Sequence, residues 1–336
     1  MFITLTMICI LMSGNNEGPD ISNYIYTYEH QDEFTFNDLG YQYLEGIFTA
    51  LLHFDFFQFR YTVTIICFLF LLITFKKVGV NGHLPIALYM IYLFFIDTIQ
   101  YRNFIAMMMM TYSLVFYVSD RKRDWFIFAG INILVSTVQI ISLSSLLFLI
   151  PKFLDKEKTL KLFKRLGIII LALSVVGKMI GGNITLLFIR LFVVGESRAD
   201  DYLATETRFS GFAFAFLALF AYWLILKVRS ELMVRDFNKI KYIDAILAIS
   251  TVSMIFIGTL FLNVSFYRFF RNILILQFIG ITLYLDSSLI SNHKRNLYFM
   301  RVIALAVLWY IIDMVLIEGV EECVIPIFEH NILWSK

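Results

Sequence analysis

The stretch Leu84-PIALYMIYLFFIDTIQYRNFIAMMMMTYSLVFYV-Ser119 decides the fold. It runs for about 36 residues, and Asp97 and Arg102 are its sole charges. One helix needs only ~20 apolar residues to cross a bilayer, so the stretch reads as two spans of ~18 residues folded back on each other. Ionisable groups are costly in hydrocarbon. The turn must therefore fall near Asp97 to Arg102.

Working outward, further apolar runs lie at roughly 60–75, 125–150, 166–193, 209–227, 242–262, 271–286 and 297–317. The run Trp125–Ile150 has basic clusters at both ends. The positive-inside tendency puts both ends on one side, which implies a pair of short or re-entrant helices. Met1 to Met12 is apolar, lacks a basic leader and has no small-residue cleavage site. It reads as a short anchoring helix rather than a removed signal peptide. The expected fold is an all-α, polytopic integral membrane protein with about 10–11 transmembrane or re-entrant helices. It forms one transmembrane domain over residues 1–336, with a long outer loop at about 13–59 and a second at about 195–208.

Composition agrees. Hydrophobic residues make up 60% and charged residues 16%, against roughly 25% charged in soluble domains. The net charge of +2 is distributed by topology rather than gathered on one face, so nucleic acid is not an expected partner. Cys9, Cys67 and Cys323 are odd in number and scattered, which argues against a disulfide framework. The five histidines show no metal-ligand spacing. No phosphate-binding glycine loop, zinc-binding helix or nucleophile elbow is present, so no cofactor is expected and a soluble nucleotide is an improbable donor.

The segments that the topology places inside carry nineteen basic residues, Lys and Arg mixed, against eight acidic ones. On the outer side the basic residues are Arg60, Arg102, Arg190, Arg198, Arg208, Arg268 and Arg271, with the terminal Lys336 as the exception. This asymmetry implies an N-inside, C-outside chain. Anchoring needs only positive charge, whereas arginine without lysine suggests a planar fork gripping phosphate or carboxylate.

Two readings compete for Arg102. It either pairs with Asp97 to fix the turn or clamps an anion facing a cavity. Arg268 and Arg271 stand three apart at the start of the helix from Asn272 to Asp286, on one face if that helix begins early. Arg190 and Arg208 flank an acidic outer loop, where solvated pairing is the plainer reading. The first outer segment is rich in tyrosine and acid, including Tyr24, Tyr41, Asp32, Glu33, Asp38 and Glu45. That composition suits sugar or headgroup contact, or an aromatic belt.

At these same residues the chain resembles a known family. Asp97-x-Ile99-x-x-Arg102-Asn103-x-x-Ala106 is similar to the Arg-Gln-x-x-Ala signature of the EpsG family, Wzy-type polymerases of bacterial exopolysaccharide and O-antigen. Asp38-Leu39-Gly40-Tyr41-x-x-Leu44 resembles that family's acidic-x-Gly-Tyr element, and Phe266-Tyr267-Arg268-Phe269-Phe270 its later arginine motif. Asn103 departs from the usual glutamine, and Gln139 stands where many members carry histidine.

The resemblance implies a multi-spanning, C-type glycosyltransferase that works without a metal. The growing glycan on undecaprenyl pyrophosphate is the donor, and a lipid-linked repeat unit the acceptor, at the outer face of the cytoplasmic membrane. Arg102 and Arg268 neutralise the departing pyrophosphate, with Arg271, Tyr41, Asp97, Arg208 and Arg190 as substrate contacts. Asp38 activates or orients the acceptor hydroxyl, with Asp32, Glu33 and Glu45 as competitors. Membrane lipid, a chain-length regulator and a flippase of the pathway are the further expected partners. The alternative is a transporter or flippase of the same lipid-linked oligosaccharide. A membrane acyltransferase is weakened by the lack of a suitable intramembrane histidine.

Overall fold

The computed structural model describes residues 1–30, 39–180, 210–232, 237–287 and 290–334. Among these the chain is helical, and five helical stretches are long and apolar enough to cross a membrane: Phe56–Val78, Ser210–Glu231, Lys239–Phe261, Ser265–Leu285 and Asn292–Glu318. The protein is an all-α polytopic membrane protein. It packs as two compact units, residues 1–146 with 278–336, and residues 147–277.

The first unit is built around α4 (Phe56–Val78). Its start is fixed by a capping box. The Asp55 carboxylate accepts the Gln58 N–H at 2.8 Å, and the Gln58 side chain accepts the Asp55 N–H at 3.1 Å. Its end is fixed by Gly79 at φ +76°, a left-handed C-cap that glycine adopts without strain. Lys76 and Lys77 lie in the last turn, against the negative end of the helix dipole. Against α4 pack α1 (Phe2–Gly14), burying Ile8 and Met12, and α7 (Tyr101–Tyr117), burying Phe104 and Met108.

The Leu84–Ser119 hairpin turns where expected. The first arm ends at Ile99, Gln100 leaves helical geometry at φ −90°, ψ 63°, and α7 begins at Tyr101. That first arm is itself broken into α5 (His83–Ile91) and α6 (Leu93–Ile99) at Tyr92, whose φ is −137°. The Tyr92 hydroxyl donates to Asp313 at 2.6 Å, and its ring stacks on Trp309 at 5.4 Å. Both partners belong to the last long helix, which runs as α14 (Asn292–Tyr310) and then widens into a π-helical turn, Ile311–Glu318. α8 (Lys122–Val138) stops at Gln139 in extended backbone and is followed by a 3-10 segment, Ile140–Leu149. The Trp125–Ile150 run is therefore a broken pair.

Contacts sort the ends of this unit. At one end Asn15 bridges Asn331, the Ile332 N–H donates to the Gly14 carbonyl at 2.9 Å, and His330 meets Glu17 at 3.0 Å. At the other end the Asn81 N–H donates to Asp286 at 3.1 Å. Residues 15 and 331 thus lie together, as do residues 81 and 286.

Among the described residues the span 13–59 holds α2 (Ile21–Glu29) and α3 (Leu39–Leu52) between the end of α1 and the start of α4. At 14 residues, α3 falls short of the ~20 that a spanning helix needs.

The second unit contains α9 (Ile150–Phe153), α10 (Lys156–Ile180), α11 (Ser210–Glu231), α12 (Phe237–Ser253) with its 3-10 extension Met254–Phe261, and the start of α13 (Arg268–Leu285). Arg229 and Asp244 tie α11 to α12. Gln277 donates to Ser250 at 3.1 Å. Two short helices, α15 (Val320–Cys323) and α16 (Ile325–Glu329), close the chain in the first unit.

Candidate functional site

The site grows from helix periodicity. On α2 the buried side chains are Ile21, Tyr24 and Tyr28, and on α3 they are Tyr41, Glu45 and Phe48. Residues three or four apart share a helical face. Each short helix therefore turns one stripe inward, and both stripes converge on the ring of Phe59, which meets Tyr28 at 5.2 Å, Phe48 at 5.2 Å and Tyr41 at 6.0 Å. Gly40 sets how close α3 comes to α8. A Cβ at residue 40 would lie 1.9 Å from the Thr137 hydroxyl and 2.9 Å from the Thr137 backbone carbon. Only glycine permits that approach, which gives the Gly40-Tyr41 pair of the acidic-x-Gly-Tyr element a steric reason.

Two arginines enter this aromatic cluster, and the structure treats them differently. Arg60 is fully buried on α4. It donates through Nη1 to the Asn15 carbonyl and through Nη2 to the Thr98 carbonyl, both at 2.9 Å. Its guanidinium sits 4.9 Å from the Tyr101 ring centroid, and the Tyr101 hydroxyl donates back to the Arg60 carbonyl at 2.8 Å. Arg60 is thus a clamp between the segment after α1 and the end of α6. It departs from the phosphate-gripping role that the arginine bias of the outer segments suggested, because two of its donors already hold backbone oxygens.

Arg102, in the first turn of α7, is half-buried. Its guanidinium lies over the rings of Tyr24 at 5.4 Å and Tyr41 at 5.9 Å. These rings lie 5.9 Å apart, tilted by 54°. Such cation–π contacts contribute about 0.5–1 kcal/mol each when exposed and ~2 when desolvated. They hold the guanidinium over the two rings, in the first turn of α7.

Glu45 completes the group. It is 1% exposed, and its Oε1 has no hydrogen-bond partner among the described residues. Burial pushes its carboxyl up to about 8, while the Arg102 charge and then the Tyr41 hydroxyl pull the other way. A half-exposed arginine and a buried carboxyl whose hold on a proton is raised by burial, within electrostatic reach of each other, can bind an anion and exchange a proton.

Other expected positions fall elsewhere. Asp97 is fully buried on α6, before the Gln100 break, with Tyr89 of α5 and Cys67 of α4 as its ionisable neighbours. In the second unit the Asn263 side chain accepts the Ser265 N–H at 2.7 Å and caps the 3-10 turn Val264–Tyr267. α13 then begins at Arg268, so Arg268 and Arg271 both stand at its head. Arg271 is fully buried, donates to the Tyr267 hydroxyl at 3.1 Å and lies 5.4 Å from that ring. Arg268 is half-buried, and its Nε makes no hydrogen bond among the described residues. Asp38, Arg190, Arg208 and the 195–208 segment lie outside the described residues.

A profile of the EpsG family matches residues 1–327. The chain belongs to the EpsG family. EpsG proteins are a Wzy-type polymerase family, and membership gives the chain a polysaccharide polymerase-type role in general. No curated protein and no solved structure matches the chain. Two of the three elements that carry the EpsG resemblance, Gly40-Tyr41 and Arg102, meet in the first unit through the Tyr41 ring. Glu45 and Tyr24 belong to the same cluster but to none of those elements. The signal for them was present as spacing, Tyr41 to Glu45 and Tyr24 to Tyr28 each being one helical turn.

Proposed function

We propose that this EpsG chain elongates a polysaccharide by transferring the growing glycan from undecaprenyl pyrophosphate to a lipid-linked repeat unit, at the outer face of the bacterial cytoplasmic membrane. The observation that carries this reading is Arg102, held by the faces of Tyr24 and Tyr41 beside a buried carboxylate. A guanidinium fixed in this way can neutralise charge developing on a departing diphosphate without a metal, since pre-oriented donors act where charge appears in the transition state. Arg268, at the head of α13, is the second arginine assigned to diphosphate contact, and Asp38 remains assigned to orienting the acceptor hydroxyl.

The experiment is complementation of a deletion strain with Arg102→Lys and, separately, Arg268→Lys, reading polymer ladder length and membrane abundance of each variant. Lysine keeps the charge but lacks the fork. Shortened ladders with normal abundance and accumulated single repeat units on the outer face are expected. Near-normal ladders from both variants would refute the diphosphate role. Absence of any repeat unit on the outer face in the deletion strain would instead identify a flippase.

A further inference from the structure

The polarity of α3 is reversed relative to a helix in water. Across Leu39–Leu52 its one charged residue is Glu45, which is turned inward and buried. Its outward side carries Leu39, Tyr43, Ile47 and Leu51, each about one turn from the next, and the last three are 66%, 50% and 72% exposed. Thr49 adds no polarity there, because its hydroxyl donates to the Glu45 carbonyl at 3.1 Å. A surface helix in water has the opposite arrangement, with charge outward and the apolar stripe on the core. A contiguous exposed apolar face marks a membrane or a protein partner.

The neighbours of α3 decide between the two. The Tyr101 hydroxyl meets the Arg60 carbonyl and the Tyr112 ring meets Phe70 at 4.9 Å, so α4 and α7 run parallel. The Asn132 side chain donates to Ser113 at 3.2 Å and the Tyr117 ring meets Phe128 at 5.2 Å, so α8 runs back against α7. The start of α4 and the end of α8 therefore share one end of the unit, and Lys76, Lys77, Lys122 and Arg123 lie towards the other. Both ends of α3 are held at the first of these. Gly40 abuts Thr137, next to last in α8, and Leu52 is linked through residues 53–55 to Phe56, the first of α4. A helix of 14 residues held in this way, ~21 Å long at 1.5 Å per residue, lies along that end rather than across the bilayer. It also joins directly onto a membrane-crossing helix, α4, whose own exposed side is apolar at Tyr61, Ile65 and Leu69.

We propose that α3 is an interfacial helix seated in one leaflet of the bilayer, with Tyr43, Ile47 and Leu51 against lipid acyl chains and the Tyr41–Glu45 stripe against the protein. Helices of this kind sink their apolar face about 5–10 Å into the boundary between headgroups and acyl chains. Tyr43 suits that depth, because a tyrosine ring is apolar and its hydroxyl stays wet. Seated so, α3 brings Tyr41, and the Arg102 guanidinium over its ring, to the level of the lipid phosphates. This placement stands independently of the polymerase reading.

The test uses purified full-length protein in proteoliposomes of phosphatidylethanolamine and phosphatidylglycerol. The buried native cysteines are removed as Cys9→Ala, Cys67→Ala and Cys323→Ala, and one nitroxide label is attached in each of Tyr43→Cys, Ile47→Cys and Leu51→Cys. Glu29→Cys, exposed at the end of α2, is the aqueous control. Collisions with oxygen, which collects among acyl chains, and with a water-soluble nickel chelate read the surroundings of each label. Oxygen should dominate at 43, 47 and 51 and nickel at 29. The three depths should be nearly equal, whereas a helix crossing the bilayer would change depth by about 6 Å per four residues. In the protein with its native cysteines, Ile47→Asp should lower membrane abundance severalfold and Ile47→Leu should not, since a charge facing lipid is costly. Nickel dominating at 43, 47 and 51 overturns the inference. So does shielding of all three labels from both reagents, which would show a second protein copy covering the face, and so does a depth that changes steadily along α3. Normal abundance of Ile47→Asp overturns it independently of the labels.

Discussion

Replacing Gly40 with alanine tests whether the approach of α3 to α8 sets the site. The added Cβ would sit 1.9 Å from Thr137 Oγ1, 2.7 Å from its Cβ and 2.9 Å from its backbone carbon. The hydroxyl can rotate away, but the backbone carbon cannot. The Thr137 Cβ is fixed by the backbone as well, so reaching ordinary contact at 3.4 Å from 2.7 Å requires a movement of about 0.7 Å between the two helices. Overpacking of this kind typically costs 1–3 kcal/mol when absorbed as strain, roughly. Relief by sliding α3 outward instead carries Tyr41 and Glu45 away from Arg102. Misplacement of catalytic groups by ~1 Å can lower a rate by about 10²-fold, so a shift of about two-thirds of that distance should lower polymerisation by roughly 10- to 30-fold. The assay is ladder length and initial rate in the proteoliposome system, with abundance and thermal stability measured in parallel. Thr137→Gly removes two of the three close contacts and should restore part of the loss in the double variant. Normal ladders and normal stability for Gly40→Ala would refute the steric account of the Gly40-Tyr41 pair.

Arg60→Lys is expected to lower membrane abundance and melting temperature, because lysine cannot reach both the Asn15 and Thr98 carbonyls and a buried acceptor left unmet costs about 1–3 kcal/mol; normal stability would show that the clamp contributes nothing. Reporters fused after Asp55, Asp201 and Val320 should report outside and those after Lys77, Lys122 and Lys239 inside, as the charge bias implies. An inside report at Asp55 or Val320 would place the Arg102 cluster in the wrong compartment.

What could be read from the chain was set by the cost of charge in hydrocarbon. Asp97 and Arg102 interrupt an otherwise apolar 36-residue stretch, and the break at Gln100 falls between them. Basic clusters at both ends of 125–150 likewise announced the break that Gln139 makes. Tyr92 gave no such sign, because its break coincides with a hydrogen bond to Asp313, 221 residues away. Arg60 looked like every other outer arginine for the same reason. Its role depends on two carbonyls that lie 45 and 38 residues distant. Glu45 could not be separated from Asp32, Glu33 and Asp38 by composition, since which carboxylate turns inward depends on the phase of α3. Once α3 starts at Leu39, Tyr41, Glu45 and Phe48 share its inner stripe.

The pairing of Asn15 with Asn331 has a consequence in time. Asn15 supplies the carbonyl that Arg60 holds, and Asn331 also donates to Leu11, 320 residues earlier, at 3.2 Å. A ribosome working at about 5–20 residues per second separates the synthesis of these two ends by tens of seconds. Through that interval the end of α1 is without the contact that closes it. Asn15, whose carbonyl Arg60 holds, is therefore joined to Asn331 only once the end of the chain has been made, so the clamp of Arg60 can form before the bridge that backs it.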